Sequence, residues 1–280
     1  MKFGLHGINI GPYCWPEMIV EVAQAAEAAG FDSIWTGDHV VLPEQGFSEP
    51  AETPLLDCLI ALTYVAAVTR TLKLATGVLI LPQRNPLVLA KQIASLDVLS
   101  SGRVMAGFGV GYLQAEFQAL GASFEARGVR SDEYLEAMQT IWSQEHPAYH
   151  GRLVSFEGVQ AYPRPLQQPS PSIIIGGTSP TALRRALKYG QGWFGLELEL
   201  EQLHQILSRL HQLEQEGVRA AGLKPIEISL YRRRPLTAAL VEHLAGFGVD
   251  RLVLSLPMEA SRETALRFIE HTSRTLLHQG

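Results

Sequence analysis

"SIIIGGTSPTALRRALKYGQGWFGL" (172–196) holds two short apolar runs with a polar, periodic segment between them. "SIIIGG" (172–177) is apolar on successive positions, as a parallel strand buried on both faces must be. Ser179 stands where a helix cap belongs, and the helical pattern "SPTALRRALKYG" runs from it to Gly190. "GWFGL" (192–196) is a strand again. A strand, a helix and a second strand within twenty-five residues form one βαβ unit, and parallel strands need such crossovers.

The same alternation extends through most of the chain. Further strands are predicted at "FGLHGI" (3–8), "SIWTG" (33–37), "LKLATGVLI" (72–80), "RVMAGFG" (103–109), "IEISLY" (226–231) and "RLVLSL" (251–256). Helices are predicted over "PEMIVEVAQAAEAAG" (16–30), "SDEYLEAMQTIWSQ" (131–144), with Ser131 at its start, and "LEQLHQILSRLHQLEQEG" (200–217). Eight strands in 280 residues predict an α/β fold, a (β/α)8 TIM barrel forming a single domain over 1–280. A doubly wound open sheet is the alternative, because strand order is not written in one sequence. Residues 146–171 lack helical period and are rich in Pro, Gly and aromatics. They are expected to form an insertion before strand five, with a short hairpin lying over one barrel end.

Composition narrows the function. A net charge of −5 without long basic blocks argues against nucleic acid as a partner. Cys14 and Cys58 lie far apart, without metal-type spacing, which fits a reducing cytoplasm. No His pattern of the HExxH kind occurs, so no metal is expected. The first residues show no sustained apolar run, so no secretory leader is expected. The longest apolar stretch, 55–68, contains Asp57 and falls short of the ~20 residues that span a bilayer; no membrane partner is predicted.

In a barrel of this kind, chemistry sits on the loops that follow the strands. Asp38 and His39 occupy the loop after strand two, where a His beside a carboxylate can serve as general base or as donor; taken alone, the pair reads more readily as a turn capped by Asp38 beside a half-buried His39. Gly77 interrupts the third strand, which signals close approach to the backbone or a bulge, and Arg84 beyond it is a candidate anion contact. "GFGVGY" (107–112) is not the dinucleotide pattern GxGxxG, since Tyr112 takes the last glycine's place. Gly109 there suits the floor under a flat ring. Gly176, Gly177, Thr178 and Ser179, between a strand and a helix start, are read as a phosphate-type loop, with a plain capped βα turn as the alternative. Arg232, Arg233 and Arg234 follow strand seven, either to meet an anionic tail or as a solvated or subunit-contact cluster.

Taken in order, "AAGFDSIWTGDHV", "LATGVLILPQRNPLVLAKQIASLDVLSSGRVMAGFGVGYLQAEFQALG", "RSDEYLEAM", "PSIIIGGTSPTALRRALKYGQGWF" and "GVDRLVLSLP" resemble the bacterial luciferase-like flavin- and deazaflavin-dependent oxidoreductases. The resemblance implies a barrel that binds coenzyme F420 or FMN, the F420-type subgroup being favoured by "RSDEYLEAM" and the short length. It implies a non-prolyl cis peptide at Gly77–Val78 supporting the ring. It places Asp38 and His39 near the ring and the substrate, with the Gly176–Ser179 loop on the cofactor phosphate. Family habit implies a homodimer. Deazaflavin-dependent sugar-phosphate dehydrogenases of the family carry an acid after the strand-four glycines and a Trp soon after Asp-His. Here Tyr112 and Pro43 stand at about those places. That counts against sugar-phosphate oxidation, makes Tyr112 a candidate proton donor, and predicts that His39 lacks an acid partner. The function expected is hydride transfer between F420 and a small organic substrate. The alternatives are an FMN-dependent monooxygenase, a non-catalytic flavin-binding protein, and a metal-free hydrolase using Asp38 and His39.

Overall fold

The computed structural model describes residues 1–45, 50–259 and 261–277. Its strands are β1 (Lys2–His6), β2 (Ser33–Thr36), β3 (Lys73–Thr76), β4 (Leu79–Ile80), β5 (Val104–Gly109), β6 (Tyr149–His150), β7 (Ser155–Phe156), β8 (Ser172–Gly176), β9 (Gly192–Leu196), β10 (Glu227–Arg232) and β11 (Arg251–Ser255). Helices follow them in alternation: α1 (Pro16–Ala28), α2 (Cys58–Val68), α3 (Pro86–Leu99), α4 (Gln114–Ala119), α5 (Arg127–Ser143), α6 (Pro180–Tyr189), α7 (Leu200–Gln215), α8 (Ala238–Gly246) and α9 (Arg262–Thr272). The parallel ladder runs β3-β2-β1-β11-β10-β9-β8-β5, and pairing of β3 with β5 closes it. The fold is a (β/α)8 barrel, and an open sheet is excluded by that last pairing. No described helix is long and apolar enough to cross a membrane.

Two apolar layers hold it. One fills the space between the strands and the surrounding helices, where α1, α2, α3 and α6 pack buried Leu, Ile, Val and Ala side chains against the sheet. The other fills the barrel itself, where Trp35 and Phe194 stack at 4.9 Å beside Met105, Ile174 and Val253. At the N-terminal end the interior is plugged by Arg251, 2% exposed. Its guanidinium meets Asp32 at 3.0 Å, donates to Ser229 Oγ at 3.2 Å and pairs with Glu227. A buried cation is tolerated only when so paired.

Helix starts follow the local chemistry. Asp57 accepts from the N–H groups of Leu59 and Ile60 at 2.9 and 3.0 Å and opens α2; Ser179 accepts from Ala182 N–H at 3.2 Å and opens α6. The start expected at Ser131 is four residues late. Arg127 anchors an earlier turn by donating to the carbonyls of Gly111 and Phe124 and stacking 3.9 Å above the Phe124 ring. Ser131 is therefore buried within α5, its hydroxyl on the Arg127 carbonyl at 2.8 Å. The insertion does contain the hairpin, β6 with β7. It packs outside α3 and α5, however: Tyr149 donates to Glu136, and Gln167 bonds Asp97 and the Val104 carbonyl, at the N-terminal end of β5.

The third strand is broken where the barrel closes. β3 pairs with β5 at Leu74–Val104 and Ala75–Met105, and β4 resumes at Leu79–Phe108 and Ile80–Gly109. Between them the Gly77–Val78 peptide is cis, as the resemblance implied. The backbone of Gly107, opposite the break, is satisfied by a side chain instead. Thr76 Oγ1 donates to the Gly107 carbonyl at 2.7 Å and accepts its N–H at 2.9 Å. Only glycine fits there, since a Cβ would stand 1.9 Å from the Thr76 carbonyl oxygen. Thr76→Val keeps the shape but leaves both Gly107 groups unpaired in a dry place. The expected loss of stability is about 1–3 kcal/mol for each unpaired group, read as a lower urea midpoint; an unchanged midpoint would show that water reaches the seam.

Candidate active site

All eight barrel loops at the C-terminal end contribute to one cavity of about 640 Å³. That lies within the range of roughly 300–1,000 Å³ typical of small-ligand sites. Its walls are largely apolar, with Ile10, Leu55, Phe194, Leu196 and Met258 among them. Polar side chains enter at a few points, among them His6, Asp38, His39, Tyr112, Thr178 and Arg233.

One wall is built by Val78. Its methyl groups sit where a Cβ on Gly109 or Gly176 would be, 2.6 and 2.9 Å away. The glycines of β5 and β8 thus make room for Val78, and Val78 faces the cavity. The floor expected at Gly109 is this side chain backed by glycines, rather than bare backbone. Gly7 (φ +100°) has open space where a Cβ would project, and Gly177 (φ +112°) turns the chain into α6. A flat ring with one smooth apolar face fits such a wall.

Asp38 and His39 part company at the end of β2. Successive side chains of an extended segment point to opposite sides. Asp38, 5% exposed, accepts from Ile80 N–H at 2.8 Å and pairs with Arg84 at 2.7 Å. Arg84 also reaches Asp57 at 3.2 Å. Arg84 therefore spends its guanidinium on two carboxylates and is not placed as the expected anion contact; it does not line the cavity, whereas Asp38 does. Asp38 fastens β4 to the loop after β2; it does not hold His39.

His39 has another partner. Its Nδ1 lies 3.0 Å from Glu116 Oε2, and the other Glu116 oxygen accepts Val40 N–H at 2.7 Å. The expectation that His39 lacks an acid is thus corrected. The acid comes from α4, four residues beyond Tyr112, with a fully buried side chain. A carboxylate only accepts, so Nδ1 carries the proton and Nε2 is the basic nitrogen of the neutral ring. Burial works to raise the Glu116 pKa, but hydrogen bonds from His39 and Val40, with the Gln83 amide alongside, hold it below its usual value. Tyr112 stands edge-on to His39, ring centroids 5.8 Å apart, on the cavity rim. Burial and the nearby Glu116 charge raise its pKa, so it keeps its proton at neutral pH.

The remaining expectations sort themselves by position. Gly77, Val78, Gly109, Gly176, Gly177 and Thr178 line the cavity. Ser179 does not; its hydroxyl is engaged at the start of α6. The three arginines diverge. Arg232 is buried on the Leu198 carbonyl, Arg234 meets Glu199 at 2.9 Å, and Arg233 alone of the three lines the cavity, donating to Tyr231 Oη at 3.1 Å. No residue of the insertion lines it. Glu116 and His6 escaped the sequence reading. Glu116 sits in a helix-like pattern that reads as ordinary surface, and His6 is one His in an apolar strand.

Because the folded protein holds the Glu116 carboxyl below 4.5, its contribution is whole above that pH and drains as pH falls through the lower, folded-state value. Glu116→Gln is therefore expected to be less stable than the parent at pH 7. The gap should narrow below about pH 4.5, and urea unfolding at pH 7 and pH 3 checks it.

Known proteins resemble the chain in sequence or in fold. A protein of Mycobacterium tuberculosis named only as uncharacterized is 29% identical over 246 residues, 84% of this chain and 83% of its own. The FMNH2-dependent dimethylsulfone monooxygenase of Pseudomonas putida is 33% identical over 131 residues, 46% of this chain and 36% of its own. The coenzyme F420-dependent tetrahydromethanopterin reductase of Methanopyrus kandleri superposes with a TM-score of 0.79 at 18% identity, over 99% of this chain and 98% of its own, which speaks to fold. Residues 15–262 match the family described as luciferase-like monooxygenase. That match runs from the residue before α1 to the first residue of α9, and the chain belongs to the luciferase-like monooxygenase family.

Proposed function

We propose that this protein is an F420-dependent oxidoreductase that moves a hydride between C5 of the deazaflavin and a small organic substrate. The observation that carries the reading is the cavity itself: one smooth wall at Val78, and His39 held by a buried acid at its side. When bound, F420 supplies a two-electron hydride carrier; the redox chemistry is the cofactor's and the protein supplies place and environment. Val78, Gly109 and Gly176 would take one ring face, with Gly177 and Thr178 toward the phosphate. The apolar walls exclude water, which strengthens every polar contact inside.

His39 is the group set up to handle the substrate's proton. Glu116 fixes its tautomer and orientation, so Nε2 takes a proton from a hydroxyl being oxidised, or returns one in the reverse direction. Asp38 acts at one remove, by locking β4 and with it the Val78 wall. Tyr112 offers a second, weaker donor at the rim.

A second reading, reduced FMN and oxygen, is favoured by the likeness to the dimethylsulfone monooxygenase. The F420 reading is supported by the "RSDEYLEAM" pattern and the likeness to the F420-dependent reductase.

Fluorescence titration of the purified protein separates them. F420 is expected to bind at micromolar concentration, with FMN at least about tenfold weaker; the reverse order selects the monooxygenase. Failure of both below about 1 mM, roughly 4 kcal/mol of binding, would falsify the reading. His39→Ala is expected to lower kcat about 10²–10⁴-fold while leaving cofactor affinity intact. Unchanged turnover removes His39 from the chemistry.

A further inference from the structure

His6 ends β1 inside the barrel, 8% exposed and on the wall of the cavity. Its ring is fixed on three sides. Tyr231 meets it edge-on at 4.9 Å, a Cβ on Gly77 would touch its Cδ2 at 3.4 Å, and one on Gly37 would touch its Cε1 at 3.7 Å. Its Nε2 lies 3.2 Å from the Gly77 carbonyl oxygen. A carbonyl oxygen only accepts, so Nε2 carries the hydrogen. The ring is neutral, its pKa lowered to about 4 chiefly by burial and further by the nearby Arg233 charge, against the Gly77 bond that favours the proton. In a neutral ring with Nε2 protonated, Nδ1 is a lone-pair acceptor. Among the described residues Nδ1 has no hydrogen-bond partner, and it is not one of the side-chain atoms sealed from the cavity. Nδ1 therefore opens onto the cavity, and a ligand that displaces water from it keeps its affinity only by replacing the hydrogen bond that water makes.

We infer that His6 is a specificity-determining residue whose Nδ1 accepts a hydrogen bond from an N–H or O–H group of the molecule bound in the cavity. This rests on the cofactor-and-substrate reading above. The donor belongs either to the cofactor ring or to the substrate, and a ligand offering only acceptors or an apolar edge at that point is disfavoured. His6 differs in task from His39: it moves no proton, and its tautomer is set by backbone rather than by an acid.

Nitrogen NMR on the full chain with ¹⁵N-labelled histidine tests this. The protein has nine histidines, and the signal missing in His6→Asn identifies the one concerned. The free protein is expected to show His6 as the neutral Nε2–H tautomer at pH 7. A shift of Nδ1 to lower frequency on adding F420 or FMN alone assigns the donor to the cofactor. A shift only when phenol follows the cofactor, but not when toluene does, assigns it to the substrate. No shift with any of these, or a free protein with Nδ1 protonated, overturns the proposal. Cofactor fluorescence is read in the same samples, so failure of cofactor binding is seen separately, and the phenol–toluene pair alone then decides for His6. As a second arm, His6→Phe is expected to weaken the donor ligand roughly tenfold, the scale of one lost hydrogen bond. His6→Asn, which keeps an acceptor at the δ position, is expected to stay within about threefold of the parent. Equal losses in both variants, with unchanged thermal unfolding, overturn the proposal.

Discussion

Everything at the working end of this barrel hangs on how the seam between β3 and β5 is closed. The ladder there is interrupted for one step, and a single hydroxyl, that of Thr76, answers both backbone groups of Gly107 across the gap. Because the backbone beyond the gap resumes as β4, the strand still pairs with β5, while the residues in the gap face the cavity. The carboxylate of Asp38 then holds the N–H of Ile80, so the resumed strand is tied on both flanks. The cavity wall is thus a consequence of sheet closure rather than of a loop laid over a finished barrel. Precision at a binding surface is easier to hold on strands than on loops.

Two carboxylates near the mouth show how position divides labour. Asp38 and Glu116 are both buried, yet one faces a guanidinium and the other an imidazole. Arg84 is always charged, so Asp38 is locked into a permanent pair whose removal of one member would strand the other. His39 instead gives Glu116 one ring nitrogen and keeps the other for a ligand, so this pairing orients a group that can exchange a proton. The first arrangement is rigid scaffolding and the second a poised group, and they grow from adjacent residues of one short segment.

Much of this was legible in sequence because the relevant forces act locally. Runs such as "SIIIGG" and "RLVLSL" are apolar on both faces for one physical reason, burial between barrel interior and helices, and that pattern survives without knowledge of partners. Ser179 caps its helix because a hydroxyl reaches N–H groups within one turn. What was illegible depends on contacts far apart in the chain. Glu116 meets His39 across 77 residues, and no spacing rule links them. Arg84 was visible as a charge, but its two carboxylate partners were not. The start of α5 moved because the Arg127 side chain reaches back to Gly111, a tertiary anchor that outweighed the capping propensity of Ser131. His6 gave no local signal, since a lone His in an apolar strand is ordinary until its neighbours are known.

The Arg251 plug at the opposite end of the barrel has a kinetic consequence. With that end filled by a paired, desolvated guanidinium, the described residues open the cavity toward the C-terminal loops. Whatever lies deepest enters first and leaves last, so molecules that share the barrel must queue.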